Sequence, residues 1–347
     1  MTTKTLIVGG YGAVGREAAA GLAGHTEVVV AGRNPDQAKH PTAIRLDLRD
    51  PEQIDAALDG VDAVLMCVET GNAHLARACL ARGIGYADVT ATPSVIADLE
   101  QAGGREKSGG EKSGRENSGP EVPGSGTAAA VLSVGIAPGV TNLLASHVST
   151  LAPGEPVRIG VLLGSGERHG TAAVAWTVDG LGQEQGSWTA DFPAPFGRRT
   201  VHRFPFSDQH TLKLPDVRTG LALDSRSSTA LLGAANRPGV AKFLKRPAMR
   251  PLTDRIFGGL HLGSDGFAVI AEAGGLRASF TGHGQSRATG LVAAQVIRRL
   301  PELRPGIAHL EDLVDPTEFL TALTGDGFQL ELPQHADHRG DVRPVLG

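Results

Sequence analysis

The chain has 347 residues, enough for two domains, and its net charge of −4 gives no basic surface of the kind that nucleic acid binds. Apolar residues make up 41% of it, as in a soluble globular protein, and no apolar run approaches the length of a membrane span. The first residues lead into a strand without a signal segment, and the two cysteines, Cys67 and Cys79, suit reduced thiols. We therefore expect a cytoplasmic protein that binds a small-molecule substrate, and no nucleic acid or membrane.

The N-terminal part of the chain alternates strand and helix patterns with short connections, which predicts a parallel, doubly wound α/β sheet. Strands are predicted at Thr5–Val8, Glu27–Ala31, Ala43–Asp47, Asp62–Cys67 and Tyr86–Val89. Helices are predicted at Ala13–Ala23, Pro51–Leu58, Asn72–Arg82 and Pro93–Gln101. Two of these helices begin with a proline after a residue that can cap them, Asp50 and Thr92.

Glycines in the spacing G-x-G-x-x-G follow the first strand at Gly10, Gly12 and Gly15. This order of strand, glycine turn and helix is typical of dinucleotide binding, because the turn lets the backbone touch the phosphates and the N–H groups of the helix start face the anion. Glycine is common in this chain, 47 residues, so a purely structural turn is the alternative. The second strand follows where a βαβ unit requires it, which favours dinucleotide binding.

The end of the second strand reads Gly32-Arg33-Asn34, where an NAD-selective site usually has Asp or Glu. A guanidinium binds a 2′-phosphate with charge-assisted hydrogen bonds, so Arg33 predicts NADP(H), preferred over NAD(H). The alternative is an ordinary surface arginine. Asp47, at the end of the third strand, is expected beside the adenine, with helix capping or loop solvation as its alternatives. We predict cofactor contacts from Gly9, Gly10, Tyr11, Gly12, Ala13, Val14, Gly15, Arg33, Asn34, Asp47, Leu48, Cys67, Val68 and Pro138.

Beyond these elements the pattern changes. Residues 103–126 are rich in Gly, Ser, Glu and Lys and predict a disordered insertion. A strand at Ala128–Val134 then leads into a Pro138-Gly139 turn and a helix. Further strands are predicted at Val157–Leu163, Ser187–Asp191, Thr200–Phe204, Gly220–Leu223, Phe267–Ala273 and Leu276–Thr281, before a helix at Ser286–Leu300. We expect a Rossmann domain in 1–138, a mixed α/β domain in 139–283, a segment packing back on the first domain in 284–333 and a disordered tail in 334–347.

Candidate catalytic groups lie at strand ends, where open α/β sheets bind ligands. Glu69 and Asp88 follow the fourth and fifth strands, with helix capping as their alternative role, and His283 lies between two glycines at a strand end. We predict these three as catalytic, and substrate contacts from Thr90, Asn142 and Trp176. The other candidates in the second domain are His169, Asp179, His202 and His210. His335 and His338 lack further ligands, so no metal is expected. No hydrolase elbow or P-loop occurs.

Four segments resemble the saccharopine dehydrogenase-like reductases, a group that includes saccharopine reductase and carboxynorspermidine reductase. They are Val8-Gly-Gly-Tyr-Gly-Ala-Val-Gly15, Ala31-Gly-Arg-Asn34, Tyr86-Ala-Asp-Val-Thr90 and Gly135-Ile-Ala-Pro-Gly-Val-Thr-Asn-Leu143. Trp176-Thr-Val-Asp-Gly180 and Gly282-His-Gly-Gln-Ser-Arg-Ala-Thr-Gly290 look like later landmarks of the group. The resemblance implies NAD(P)-dependent redox chemistry at a C–N bond, a substrate and dimerisation domain, and a homodimer.

The chain departs from that group at polar positions. Where saccharopine reductase is expected to carry Asp before the Pro-Gly turn and Asp-His beyond it, this chain has Ala137, Thr141 and Asn142. A cysteine-glycine segment of the group is matched by Leu163-Gly-Ser-Gly166, without the thiol. We predict an NADP(H)-dependent oxidoreductase that acts on an amino-acid-derived imine or secondary amine. The alternatives are a non-catalytic dinucleotide-binding sensor or interaction protein, and a C=O or C=C reductase.

Overall fold

The computed structural model describes residues 3–37, 40, 42–103, 127–166, 171–259 and 263–333. The predicted tail, His169 and all of the predicted insertion except Gly103 lie outside these residues. In the described part of the chain no helix is long and apolar enough to cross a bilayer.

Seven parallel strands form the first sheet, in the order β13-β6-β5-β4-β1-β2-β3. The strands are β1 (Lys4–Val8), β2 (Glu27–Gly32), β3 (Ala43–Arg45), β4 (Ala63–Met66), β5 (Gly85–Asp88), β6 (Ala129–Leu132) and β13 (Gly306–His309). Its helices are α1 (Ala13–Leu22), α2 (Pro51–Leu58), α3 (Asn72–Leu80) and α4 (Pro93–Ala102). The strand order reverses between β1 and β4, which puts a ligand-binding crevice at the carboxyl ends of these two strands.

A second, mixed sheet has the order β14-β12-β11-β7-β10-β9-β8, in which only β7 and β10 pair in parallel. Its strands are β7 (Val157–Leu163), β8 (Ser187–Phe192), β9 (Gly197–Arg203), β10 (Val217–Leu223), β11 (Gly266–Ala273), β12 (Leu276–His283) and β14 (Gln329–Glu331). The remaining helices are α5 (Thr141–Leu151), α6 (Thr171–Gly180), α7 (Asp208–Thr211), α8 (Arg226–Ala235), α9 (Pro238–Leu244), α10 (Arg250–Gly259), α11 (Gln285–Arg299) and α12 (Pro316–Thr324). The predicted fold class, a Rossmann sheet with a second mixed α/β sheet, is confirmed.

The two sheets share one apolar core. Helix α11 crosses α1 so closely that a side chain at Gly290 would lie 2.6 Å from Glu17 Cβ. Apolar residues of β1, α5, β11 and α11 belong to the same buried cluster, among them Ile7, Leu144 and Val269. Burial of this surface is the main contribution to stability. The domain boundaries predicted at 138 and 283 stay predictions.

The C-terminal part of the chain completes the first sheet. Strand β13 pairs with β6 through Ile307 and Ala130, and the buried His309 joins Ser133 Oγ and Glu100 Oε1, both at 2.8 Å. Strand β13 was not predicted, because four residues without clear alternation carry little strand signal.

Candidate functional site

The three glycines of the turn have different steric roles. A Cβ at Gly15 would lie 2.5 Å from Gly9 O, and one at Gly10 would lie 2.7 Å from Val30 Cβ, so both positions are closed by packing. A Cβ at Gly12 would meet only Gly9 O, at 3.2 Å. Gly9 has φ +80°, a conformation that favours glycine. The open position is therefore Gly12, where the turn faces outward.

The start of α1 offers free donors beside that opening. Gly12 is the N-cap with φ −69° and ψ 173°, and no side chain caps the helix. The N–H groups at the first helical positions, Ala13 to Gly15, have no partner within the helix. They concentrate the positive end of the helix dipole at the turn. These free donors and the open Gly12 suit a pyrophosphate, and the contacts from Gly9 to Gly15 stay a prediction.

Tyr11 connects the glycine turn to the end of β2. Its ring lies against Gly32, where any side chain would overlap the Tyr11 hydroxyl. The same hydroxyl accepts a hydrogen bond from the backbone N–H of Asn34, at 3.1 Å. A side chain at position 32 would therefore displace the Tyr11 ring, which lies where the ribose of a dinucleotide is expected.

Charged groups gather at the outer end of this wall. The Arg49 guanidinium holds Asp47 through two bonds, Nε to Oδ1 at 3.0 Å and Nη2 to Oδ2 at 2.6 Å. These bonds, with a smaller contribution from the charge of Arg33, keep the pKa of Asp47 well below its usual range. Arg33 is exposed and makes no ion pair within the described part of the chain. The capping role considered for Asp47 belongs instead to Asp50, which accepts from the N–H groups of Glu52 and Gln53.

The other predicted cofactor residues surround the ends of β3 and β4. Val68 is exposed and lies over the turn, since a Cβ on Gly9 would be 2.6 Å from Val68 Cγ1. Leu48 is half-buried, and a Cβ on Gly71, just before α3, would lie 3.4 Å from Leu48 Cβ. Burial raises the pKa of the Cys67 thiol far above its ordinary value, so this cysteine is a neutral wall residue.

Glu69 is fixed at the carboxyl end of β4. Thr90 Oγ1 donates to Glu69 Oε1 at 2.7 Å, and Thr92 Oγ1 lies 2.9 and 2.8 Å from the two carboxylate oxygens. The prediction that Thr92 caps α4 through its side chain is wrong, because that hydroxyl serves Glu69 instead. Glu69 is exposed while Thr90 is buried, so an oriented carboxylate faces the crevice side of the sheet.

Asp88 is enclosed beneath Glu69. Its carboxylate accepts from Asn72 Nδ2 at 2.9 Å, Tyr86 Oη at 2.6 Å and the Thr90 N–H at 2.9 Å. Burial raises its pKa to about 6. Because Asp88 has no exposed surface, its contacts favour a positioning role over the predicted catalytic one. It ties the start of α3 to the loop that carries Thr90.

Asp88→Asn tests this positioning role. An amide has one acceptor oxygen for three donors, so we expect a loss of about 1–3 kcal/mol in the free energy of unfolding. A raised pKa means that the folded state binds the proton more tightly, so the contribution of Asp88 falls as the pH rises from about 4 through about 6. That fall should be absent in the variant. Urea unfolding at several pH values measures both effects, with exposed Asp98→Asn as control. Identical pH dependence in wild type and variant would exclude this role.

The Pro-Gly turn follows β6. Pro138 is buried, and Gly139 has φ +134° with its missing Cβ only 2.6 Å from Ser133 O, so glycine is required there. Asn142 lies in the first turn of α5 but is fully buried, and its Nδ2 donates to Glu311 Oε1 at 2.7 Å and Thr211 Oγ1 at 3.1 Å. These bonds favour a packing role over the predicted substrate contact.

His283 ends β12 of the second sheet, and Trp176 lies in helix α6. The His283 side chain is 75% exposed and its Nδ1 lies 2.8 Å from Asp265 Oδ1, a contact that lowers the pKa of Asp265. Nearby, Gln285 Nε2 donates to Gly164 O at 3.0 Å. Trp176 is half-buried and lies edge-on to Phe204, with ring centroids 5.1 Å apart. Neither His283 nor Trp176 forms a hydrogen bond or ion pair with Glu69 in the described structure.

A separate cavity of about 460 Å³ lies at the opposite, amino ends of the first sheet, between Thr5, Thr26, Asp62 and Ala129. Dinucleotides bind at the carboxyl ends of such sheets, so this cavity is not the cofactor site. Within the described residues no three His, Cys, Asp or Glu side chains come together as metal ligands would.

A comparison with known protein families identifies a match in the first sheet. Residues 9–106 match the model of an NAD(P)H-binding family. The chain therefore contains an NAD(P)H-binding domain, which supports a nicotinamide dinucleotide as its cofactor. No curated protein matches the sequence.

One solved structure matches most of the fold. Apo saccharopine dehydrogenase (L-Glu forming) from Saccharomyces cerevisiae superposes with a TM-score of 0.61 at 11% identity, over 95% of this chain and 100% of the other. The resemblance to the saccharopine dehydrogenase-like group is therefore confirmed at the level of the fold. An amine dehydrogenase from Mycobacterium smegmatis gives a lower TM-score of 0.44 at 11% identity, over 90% and 96%.

Proposed function

We propose that the chain is an NADP(H)-dependent oxidoreductase acting on an amino-acid-derived C–N bond, by imine reduction or secondary amine oxidation. The observation that carries the cofactor choice is the end of β2, where Arg33 is exposed and makes no ion pair among the described residues, while the carboxylate of Asp47 is held by Arg49. A 2′-phosphate would there meet an available guanidinium.

The cofactor residues fit the group they would hold. Gly12 would leave space for the phosphates, the N–H groups at the start of α1 would donate to them, and Val68 lies against the turn at Gly9. When bound, a nicotinamide supplies or accepts the hydride. The chain's own task is to place the substrate and to stabilise charge on its nitrogen.

Glu69 suits that second task. It is an exposed carboxylate at the switch point of the sheet, and two threonine hydroxyls hold it in one orientation. A fixed negative charge stabilises a positively charged imine or amine nitrogen and is already oriented before the substrate arrives. His283, in its pair with Asp265, stays the predicted proton donor from the second sheet.

Turnover of NADPH tests the proposal. The purified chain would be supplied with NADPH and a set of imines formed from 2-oxo acids or amino-acid semialdehydes and amines, and with NADP⁺ and secondary amino acids in the reverse direction. Absorbance loss or gain at the nicotinamide band with one class of substrate is the expected result. Binding of NADPH without exchange with any imine, ketone or enone would contradict enzymatic function.

Glu69→Gln should lower kcat/KM by about 100-fold or more, the lower range for loss of a positioned acid, base or charge. The affinity for NADPH should change by less than about threefold, since Glu69 is expected on the substrate side. Steady-state kinetics and fluorescence titration measure the two effects, and exposed Glu302→Gln is the matched control. Equal kcat/KM values for Glu69→Gln and wild type would show that Glu69 has no role in the reaction.

Two alternatives remain tied to specific observations. A non-catalytic dinucleotide sensor is favoured by Ala137 and by the burial of Asp88 and Asn142, which leave Glu69 and His283 as the exposed titratable groups of the predicted site. A C=O or C=C reductase would use the same first sheet. The substrate set above separates them, because a sensor exchanges hydride with no substrate and a ketone or enone reductase reacts without an amine.

We also propose a cytoplasmic homodimer. Large exposed apolar side chains in the second sheet's helices, Leu231, Val240, Phe243 and Leu252, supply a candidate contact surface. Sedimentation equilibrium tests it, and a monomer at micromolar concentration would contradict it.

A further inference from the structure

A cluster of buried oxygen-bearing side chains lies beneath the Pro-Gly turn. We call it the oxygen cluster, and its members come from the start of α5, from α7 with the residue before it, and from the 3₁₀ turn Leu310–Asp312 after β13. They are Thr141, Asn142, Ser207, Asp208, Thr211 and Glu311.

Hydrogen bonds join five members of the oxygen cluster in two groups, Thr141 with Asp208, and Asn142 with Glu311 and Thr211. Thr141 Oγ1 donates to Asp208 Oδ1, and Asn142 Nδ2 reaches both Glu311 Oε1 and Thr211 Oγ1. The orientation of the Asn142 amide follows from these bonds, because its NH₂ group faces two acceptors. Its carbonyl oxygen is then directed away from both.

Four oxygens of the cluster have no hydrogen-bond partner in the described part of the chain. They are Asn142 Oδ1, Ser207 Oγ, Asp208 Oδ2 and Glu311 Oε2. In the described part of the chain, seven buried side-chain nitrogen or oxygen atoms have no hydrogen-bond partner. Four are the oxygens just named, and the remaining three are nitrogens outside the cluster. Every unpartnered buried side-chain oxygen in the described residues therefore belongs to the oxygen cluster. Asn142, Ser207 and Asp208 are at most 1% exposed, and Glu311 Oε2 is enclosed although part of that residue reaches the surface. Enclosed acceptors of this kind are costly unless something donates to them or binds them.

The cluster also lacks positive charge. Neither Asp208 nor Glu311 forms a salt bridge within the described residues, and Lys213 pairs with the neighbouring Asp312 at 2.8 Å. Burial raises the pKa of Asp208 to about 6 and that of Glu311 to about 7, which shows how poorly the surroundings stabilise two ionised carboxylates. Burying carboxylates costs several kcal/mol each unless a cation accompanies them.

We propose that the oxygen cluster binds a monovalent alkali cation, K⁺ or Na⁺. All of its unpartnered ligands are hard oxygens: two carboxylates, one amide and one hydroxyl. Among the residues that the structure describes, no third carboxylate, histidine or cysteine joins them, as a zinc or tight divalent site would need. One positive charge offsets part of the buried negative charge and satisfies acceptors that no protein donor reaches.

This site goes beyond the proposed function and does not depend on it. Its structural consequence concerns the Pro-Gly turn, because Thr141 Oγ1 also contacts Ile136 O at 3.0 Å, at the start of the segment that carries Pro138. A bound cation would hold the start of α5, α7 and this turn together from below.

Thermal unfolding in different chloride salts at equal ionic strength tests the proposal. We expect KCl or NaCl to raise the Tm of the wild type by about 5 °C or more over choline chloride, which is too large to enter the cluster. The shift should disappear in Asp208→Asn and in Glu311→Gln and should persist in Asp312→Asn, the matched loss of one charge beside the cluster. Equal Tm values in all salts, or a shift that both variants retain, would overturn it.

A second measurement uses the wild type alone, in case the variants do not fold. Crystals grown in RbCl should show an anomalous scattering peak within the oxygen cluster, bonded to Asp208 and Asn142. Electron density for water there without an anomalous signal would show that solvent satisfies these oxygens, and the proposal would be wrong.

Discussion

Gly12→Asp will abolish dinucleotide binding and leave the fold intact. The Gly12 backbone has φ and ψ values that aspartate adopts readily, and the added Cβ would meet only Gly9 O, at 3.2 Å. Asp is a preferred N-cap, so its carboxylate would accept from the free N–H groups of α1 and stabilise the helix. The same carboxylate would also occupy the position expected for a cofactor phosphate, and its negative charge would repel that phosphate. We expect the affinity for either dinucleotide to fall by about 100-fold or more, with the Tm of the free protein unchanged or slightly raised.

Gly15→Ala gives the contrasting result and serves as the comparison. Its Cβ would lie 2.5 Å from Gly9 O and 2.6 Å from Gly10 Cα, which are backbone atoms that cannot yield without moving the turn. Overpacking of this kind costs about 1–3 kcal/mol, so the Tm should fall by several degrees even without ligand. Fluorescence titration and thermal unfolding of both variants separate the two roles. If Gly12→Asp bound NADPH as wild type does, the glycine turn would be structural only.

Arg33→Glu will weaken NADPH selectively. Loss of a charge-assisted contact removes about 1.5–3 kcal/mol, and the added carboxylate repels the 2′-phosphate, so the Kd for NADPH should rise at least about 10- to 100-fold. The Kd for NADH should stay within about threefold of wild type, or fall if the carboxylate accepts from the ribose hydroxyls. Titration with both cofactors gives the ratio.

The control for this change is Arg255→Glu, an exposed arginine of α10 that reverses the same charge away from the β2 end. It should leave both Kd values unchanged. Equal affinity of the wild type for NADPH and NADH would contradict the role of Arg33, whatever the variants do.

Local sequence patterns predicted the first sheet well because its strands and helices alternate in short units with strong boundary signals. The Pro51 and Asn72 helices begin where predicted, and Asp50 caps the first of them. Thr92 shows the limit of such rules, since a threonine before proline can cap a helix or serve a distant group. The choice depends on Glu69, 23 residues away in the chain, which no local window contains.

The sequence predicted those parts of the candidate site that depend on the backbone of one segment. It did not predict the parts that depend on tertiary contacts. Glycine spacing indicated the turn, but only the structure distinguishes the open Gly12 from the closed Gly10 and Gly15. Both Glu69 and Asp88 follow a strand, so the sequence predicted the same role for both. In the structure, Asp88 is buried by its contacts with Tyr86 and Asn72, whereas Glu69 is exposed. One hydrogen bond of the oxygen cluster joins Asn142 to Glu311, 169 positions away, so no local sequence pattern predicted the cluster.

The pairing of β13 with β6 has a consequence for how the protein is made. A ribosome releases the glycine turn and the first six strands long before Ile307 and His309. Until then the edge of β6 has no partner, and α1 lacks the cover that α11 gives it. Dinucleotide binding should therefore become possible only after residues 306–309 have been synthesised, and a shorter nascent chain would expose the unpaired edge of β6 to association with other chains.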